Sequence, residues 1–119
     1  MRQLAAVALV GLAFSAFAQD VAVPPQEIKA KWVGKKIFAR ATTGQLIEFS
    51  IMPDGTASVS AGNFNDTGTW RLSENGYCTK WQKIRAGTEG CLTVVHRGGD
   101  TLVLNADGSV NTQILRVPE

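Results

Sequence analysis

Residues 45–61 read QLIEFSIMPDGTASVSA, and this stretch decides the fold class. Apolar Ile47, Phe49 and Ile51 alternate with polar side chains, which is the period-two pattern of a half-buried β-strand. Pro53-Asp54-Gly55 is a strong turn signal, because Pro presets one backbone angle and Gly accepts a positive φ. The residues after the turn are again β-prone, so we predict a β-hairpin over residues 45–61.

Short strands separated by turn signals continue after this hairpin. Residues 62–68 are rich in Asn, Asp and Gly and are predicted to form a loop, and Asn75-Gly76 is a hairpin signal. The later predicted strands cover residues 69–73, 77–84, 91–97, 101–105 and 110–117. We therefore predict a mostly β domain, an antiparallel meander of seven or eight strands that forms a small barrel or a sandwich.

One short N-terminal helix is predicted before the strands, over residues 26–33. Ile28 and Trp32 lie four residues apart and therefore share one helix face. Gly34 is well placed to end the helix with a left-handed cap.

Residues 1–18 have the three-part order of a secretory signal peptide. A basic start that contains Arg2 precedes an uncharged apolar run, and Ala16-Phe17-Ala18 supplies small residues for cleavage after position 18. The apolar run is shorter than the ~20 residues that span a bilayer, and no later segment is apolar enough to do so. We expect export to the periplasm or out of the cell, with no transmembrane span after cleavage.

Cleavage would leave residues 19–119, which is enough chain for one domain. Residues 19–25 are expected to be an irregular leader, since Pro24-Pro25 blocks regular structure, and residues 26–119 to be a single β-domain. The whole chain has a formal net charge of +2. Such a small charge lacks the basic footprint of a nucleic-acid-binding protein, so we expect no nucleic-acid partner.

The sequence contains two cysteines, Cys78 and Cys91, and export would place them in an oxidising compartment. We predict a structural disulfide between them, which stabilises the fold by about 3 kcal/mol in the chain-entropy model. His96 is the single histidine of the sequence. Because no further ligands stand at metal-binding spacing, we expect no metal and no other cofactor.

No catalytic motif is visible in the sequence. His96 falls in a strand pattern beside Arg97, and we interpret it as a surface or edge-strand residue. Acidic residues fall in turn signals, where Asp usually bonds nearby backbone: Asp54, Asp66, Glu74, Asp100 and Asp107. Residues 62–68 lack the closing bidentate acid of a good Ca²⁺ loop. The protein is therefore not expected to be an enzyme.

Aromatic and basic residues cluster in sequence around Cys78, and they are the candidate binding residues. These are Trp70, Arg71, Tyr77, Lys80 and Trp81. Trp, Tyr and Arg dominate binding hot spots, which favours a pocket or a contact surface here. The alternative is that the three rings pack the interior of the barrel, where aromatic side chains bury much area.

The chain resembles a family of short exported bacterial β-proteins of unknown function. The matching landmarks are residues 27–34, Pro53-Asp54-Gly55, residues 66–71 with their Gly-x-Trp, Tyr77-Cys78-Thr79-Lys80-Trp81 and Cys91. This resemblance implies a β-meander and brings no established activity. A weaker resemblance is to the calycin barrels, which include lipocalins and avidins; those carry Gly-x-Trp on their first strand, whereas Gly68-Thr69-Trp70 lies in the middle of this chain.

These features predict an exported, non-catalytic binding or envelope-associated module of unknown partner, for which another envelope or extracellular protein is one candidate. Two alternatives stay open. The first is a calycin-like carrier of a small apolar ligand, which needs an interior cavity of ~300 Å³ or more. The second is an inhibitor or immunity protein against a hydrolase, which needs a protruding loop, with residues 85–90 as the candidate.

Overall fold

The computed structural model describes residues 19–119, and the predicted signal peptide of residues 1–18 lies outside the described residues. Within this range the chain forms one α-helix, α1 (Pro25–Lys31), a short 3₁₀ helix (Ile84–Gly87) and nine strands. The strands are β1 (Asp20–Ala22), β2 (Lys36–Ala41), β3 (Leu46–Ile51), β4 (Thr56–Ala61), β5 (Phe64–Leu72), β6 (Gly76–Trp81), β7 (Gly90–Arg97), β8 (Asp100–Leu104) and β9 (Val110–Arg116).

Strands β2 to β9 form a closed antiparallel barrel. Each of them pairs with its neighbours in sequence, and β2 pairs with β9, where Ala41 lies opposite Thr112. The predicted mostly β meander is confirmed, and it forms a barrel instead of a sandwich. Closure gives every one of these eight strands a partner on both sides, which removes the exposed edges of an open sheet.

The hairpin and the helix lie where the sequence predicts them. β3 and β4 pair across the Pro53-Asp54-Gly55 turn. Helix α1 is slightly shorter than expected; it buries Ile28, and Trp32, the residue that follows it, is also buried. Gly34 has a φ of 85° and donates its backbone N–H to the Ile51 carbonyl at 2.8 Å, which joins the helix end to β3. Neither helix within residues 19–119 has the length and apolarity needed to cross a membrane.

The expectation of an irregular leader over residues 19–25 was wrong for most of that stretch. Asp20–Ala22 form β1, which pairs with β7, and Asp20 and Arg97 are joined by an ion pair of 2.7 Å. The prolines do not prevent this strand, because they follow it. Pro25 occupies the start of α1, where a missing N–H costs nothing.

The predicted loop over residues 62–68 was also wrong, because β5 already begins at Phe64 and pairs with β4 over six residues. Asn, Asp and Gly are typical of turns, but the turn between β4 and β5 contains two residues, Gly62 and Asn63. Asp66 is 4% exposed and lies within the strand, and Gly68 lets the carbonyl of Lys80 approach closely. Both residues therefore have structural roles inside the sheet that composition does not indicate.

The predicted Cys78–Cys91 disulfide is present. The two cysteines lie directly opposite one another on β6 and β7, with their Cα atoms 4.0 Å apart. Since Tyr77 and Thr79 face the interior and side chains alternate along a strand, Cys78 lies on the outer face of the barrel. The bond fastens both ends of the segment that carries the 3₁₀ helix.

Candidate functional site

The barrel encloses a cavity of about 180 Å³. Its lining is mainly apolar, with a few polar groups from β6, β9 and the segment between β6 and β7. The lining residues are Ile47, Phe49, Ile51, Val59, Tyr77, Thr79, Trp81, Ile84, Arg85, Leu92, Asn111 and Thr112. Pockets that bind small molecules have this composition, since apolar walls supply burial and a few polar groups fix orientation.

One end of the cavity, here called the floor, lies next to Trp32, the residue that directly follows α1. The Trp32 ring packs edge-on against the rings of Phe49 and Tyr77, with centroids 6.1 Å away in both cases. Phe49 and Tyr77 in turn line the cavity. Trp32 therefore backs this end of the cavity with aromatic contacts.

The opposite end of the cavity is its mouth, formed by Ile84, Arg85 and Asn111. Connections in an antiparallel meander alternate between the two ends, so the β6–β7 segment and the β8–β9 turn both lie opposite α1. Arg85 is exposed to solvent, yet its Nη2 donates to the Thr79 carbonyl at 3.1 Å and to Thr79 Oγ1 at 3.0 Å. The guanidinium is thereby directed back along β6.

Two consecutive residues at the mouth have left-handed backbone angles. Arg85 has a φ of 54° and Ala86 a φ of 52°, and these are the only non-glycine residues with positive φ in the described range. Such conformations cost of order 1–3 kcal/mol each and persist when surrounding contacts hold them. The 3₁₀ helix is therefore a strained segment that other residues keep in place.

Asp66 is one of the residues that keep the 3₁₀ helix in place. Its carboxylate accepts hydrogen bonds from the backbone N–H of Lys83 and of Ile84, both at 2.9 Å, and from that of Thr67 at 2.8 Å. Burial raises the pKa of the Asp66 carboxyl, but these N–H donors more than offset it, so the pKa lies below its ordinary value. Asp66 thus stays ionised and fixes the start of the 3₁₀ helix.

Tyr77 places a hydroxyl in the cavity wall. Its side chain is 3% exposed, and its hydroxyl, which has no hydrogen-bond partner within residues 19–119, is not fully enclosed by protein atoms. Burial raises the pKa of this phenol well above its usual value, and the nearby Arg85 charge offsets only part of the rise. The hydroxyl is therefore a neutral donor without a partner among the described residues.

The five candidate binding residues divide between the two faces of the barrel. Tyr77 and Trp81 line the cavity. Trp70 packs partly against the core and donates its indole N–H to the Met52 carbonyl at 2.7 Å. Arg71 and Lys80 lie on the outer face, where Arg71 makes a two-point contact of 3.0 Å with Glu89. The structure therefore does not gather the set into one site.

Sequence analysis missed three residues that shape the cavity mouth. Thr79 and Arg85 were not singled out, and Asp66 was assigned to a turn. A signal for Asp66 does exist, because Asp66, Gly68 and Trp70 are spaced by two and so share one strand face. No comparable pattern marks Arg85, since the direction of a loop side chain does not follow from local sequence.

Other clusters offer no better site. Cys78, Glu89 and Cys91 place possible ligand atoms within 4.8 Å of one another, but both sulfurs are consumed by the disulfide and cannot bind a metal as thiolates. His96 lies near the α1 end, with Nδ1 3.0 Å from Thr101 Oγ1 and Nε2 4.0 Å from Glu27. These partners orient the ring but supply no activated nucleophile.

Comparisons of the chain with protein-family models, with curated proteins and with solved structures gave no match. The resemblance to a family of exported β-proteins therefore stays a prediction.

Proposed function

We propose that this protein is an exported, non-catalytic binding module that holds a small, largely apolar ligand inside its barrel. The observation that carries the proposal is the cavity of about 180 Å³, apolar along its walls and backed at one end by Trp32. An eight-stranded barrel has an interior just wide enough either to be filled by side chains or to hold one small ligand. Side chains leave part of this interior empty.

The size of the cavity limits the ligand. An engineered protein cavity of about 150 Å³ lined by Leu, Ile and Phe binds benzene, whereas drug-sized ligands need ~300 Å³ or more. The cavity volume of about 180 Å³ lies between these values. It falls short of the volume that the carrier hypothesis required from sequence, so the proposed ligand is compact, with a body about as large as a single ring.

Two observations favour binding over the alternatives. No histidine and no carboxylate lines the cavity within the described part of the chain, so a bound molecule would meet no general base there. Two side chains of the 85–90 segment, the candidate loop of the inhibitor hypothesis, are engaged within the protein itself. Arg85 contacts Thr79, and Glu89 is paired with Arg71.

Export is part of the same proposal. It is supported by the Cys78–Cys91 disulfide, since such bonds persist in oxidising compartments and are rare in the cytosol. A location in the periplasm or outside the cell would give the module access to small molecules and to other envelope proteins.

A cavity-filling substitution tests the function. The purified protein, with its disulfide intact, would be titrated with single-ring compounds and followed by NMR shifts of the Trp81 indole and of the Leu92 methyl groups. Val59→Phe would place a ring in the cavity and is expected to weaken binding at least about tenfold, as expected when the ligand's burial is lost. Val21→Phe, at an exposed position of β1, is the matched control and should bind as the parent does.

Two results would reject the proposal. The first is that no single-ring compound binds the parent protein at millimolar concentration. The second is that Val59→Phe, shown to be folded by its NMR spectrum, binds as tightly as Val21→Phe.

A further inference from the structure

Arg85 carries a positive charge that no acidic side chain balances. In the described range, Arg71 is paired with Glu89 and Arg97 with Asp20, but no carboxylate lies within 4.0 Å of Arg85. Its Nε and Nη2 donate to backbone and hydroxyl oxygens of Thr88 and Thr79, whereas Nη1 donates to no residue between positions 19 and 119. A guanidinium at the mouth of an apolar cavity therefore keeps two N–H donors and a full charge free.

Several contacts fix the position of this guanidinium. The left-handed backbone at Arg85 and Ala86 turns the side chain towards β6, and Asp66 holds the preceding N–H groups. The guanidinium also lies against Gly90, where a Cβ would come within 2.5 Å of Arg85 Cζ. Strained backbone that surrounding residues maintain is typical of ligand sites.

Two residues of β6 connect the polar groups of the cavity. Tyr77 and Thr79 are two residues apart on the same face of β6, so their Cα atoms are about 7 Å apart. Tyr77 lines the cavity with its ring packed against Trp32, and Thr79 holds Arg85 at the mouth. The walls between them are apolar, with Val59, Leu92 and Ile51 among the lining residues.

We propose that the ligand is a small organic monocarboxylate with one compact apolar body, bound with its carboxylate on Arg85 and its body in the cavity. This inference rests on the proposed function and specifies the ligand class. Arginine suits a carboxylate because its charge is permanent, and Nη1 of Arg85 still has N–H groups from which a carboxylate oxygen can accept a charge-assisted hydrogen bond. The Tyr77 hydroxyl is a second donor, placed for an oxygen or nitrogen carried by the body of the ligand.

The test uses three probes that share a ring and differ in charge: phenylacetate, phenylacetamide and phenethylamine. Each is titrated into the full disulfide-bonded protein at pH 7 and followed by calorimetry and NMR. Phenylacetate is expected to bind about 10- to 100-fold more tightly than the amide, as for a hydrogen bond to a charged group, and the amine most weakly. Added salt should narrow the difference.

Arg85→Gln is the decisive variant, and it should remove most of the preference for phenylacetate over phenylacetamide. Arg40→Gln is the matched control, because it deletes the same charge from an exposed position of β2 that does not line the cavity. Tyr77→Phe should weaken ligands that carry a ring hydroxyl about 2- to 10-fold and leave phenylacetate itself little changed. Toluene binding by each variant reports whether the cavity still forms.

The outcomes separate the two proposals. If the parent binds toluene and phenylacetamide as tightly as phenylacetate, or if Arg85→Gln keeps the preference while still binding toluene, the carboxylate inference is wrong and the binding function stands. If no ring compound binds the parent protein, both the proposed function and this inference are rejected.

Discussion

The carboxylate of Asp66 accepts a hydrogen bond of 2.9 Å from the backbone N–H of Ile84, although eighteen positions separate the two residues. This contact joins the interior of β5 to the first residue of the 3₁₀ helix. Arg85 and Ala86 follow at once with left-handed backbone. The shape of the cavity mouth therefore depends on an acid in a neighbouring strand, and Asp66 is a positioning residue for Arg85.

Replacing Asp66 by Asn should loosen the mouth. An amide presents one oxygen and one NH₂ group, so in either orientation a donor would face the N–H of Thr67 or those of Lys83 and Ile84. We expect a lower Tm and faster hydrogen exchange at the amides of Lys83 and Ile84. Asp100→Asn, an exposed position with one long hydrogen bond of 3.3 Å, is the control and should change neither. Unchanged exchange at both amides in Asp66→Asn would contradict this role.

Acid should remove the same stabilisation. The pKa of the Asp66 carboxyl is lowered in the folded state, because three backbone N–H donors outweigh the effect of burial. A lowered pKa contributes stability that is fully present above the ordinary value of 3.8 and is lost as pH falls through the folded value. The Tm difference between the parent protein and Asp66→Asn should therefore be constant near neutral pH and shrink below pH 3.8. A difference that stays constant down to pH 2 would show that the charge of Asp66 does not stabilise the fold.

Removing the disulfide should destabilise the barrel without changing its strand order. Replacing both Cys78 and Cys91 by Ala is expected to lower the free energy of unfolding by about 3 kcal/mol, through the entropy of the unlinked unfolded chain. Urea unfolding of this variant and of the parent protein, with and without reductant, measures the difference. The reduced parent should resemble the variant, whereas a change below about 0.5 kcal/mol would mean that the bond contributes little.

The sequence predicted those parts of the fold that depend on local pattern. The alternation of Ile47, Phe49 and Ile51 fixes a strand, and Pro53-Asp54-Gly55 fixes the turn that pairs it with the next. The i,i+4 spacing of Ile28 and Trp32 indicates the buried helix face. Each of these signals lies within a few residues, so it can be read without knowing what packs nearby.

The parts that sequence analysis missed depend on partners far along the chain. The strand at Asp20–Ala22 shows no β-strand pattern in the sequence. It forms because β6 pairs with β7 only as far as Thr93, which leaves the backbone of residues 95–97 available to pair with it. The sequence around Asp66 indicates a turn residue, and only the structure shows that the backbone N–H groups of Lys83 and Ile84 donate to its carboxylate. Arg85 becomes part of the site only through its contact with Thr79. Non-local contacts of this kind decide the cavity, so the site could not be predicted from sequence.

The close approach of β6 to Gly68 gives a last prediction, on the Gly-x-Trp motif. A Cβ placed on Gly68 would collide with the carbonyl oxygen of Lys80 and would lie 2.9 Å from Trp81 Cα. Both are backbone atoms of the paired strand and cannot rotate away. Gly68→Ala should therefore lower the free energy of unfolding by about 1–3 kcal/mol, the usual cost of overpacking, as measured by urea unfolding. Gly99→Ala adds the same methyl group where nothing lies within 4 Å, and it should change stability by less than about 0.5 kcal/mol. Equal effects of the two substitutions would show that β5 and β6 can separate at no cost, and the glycine would then need another explanation.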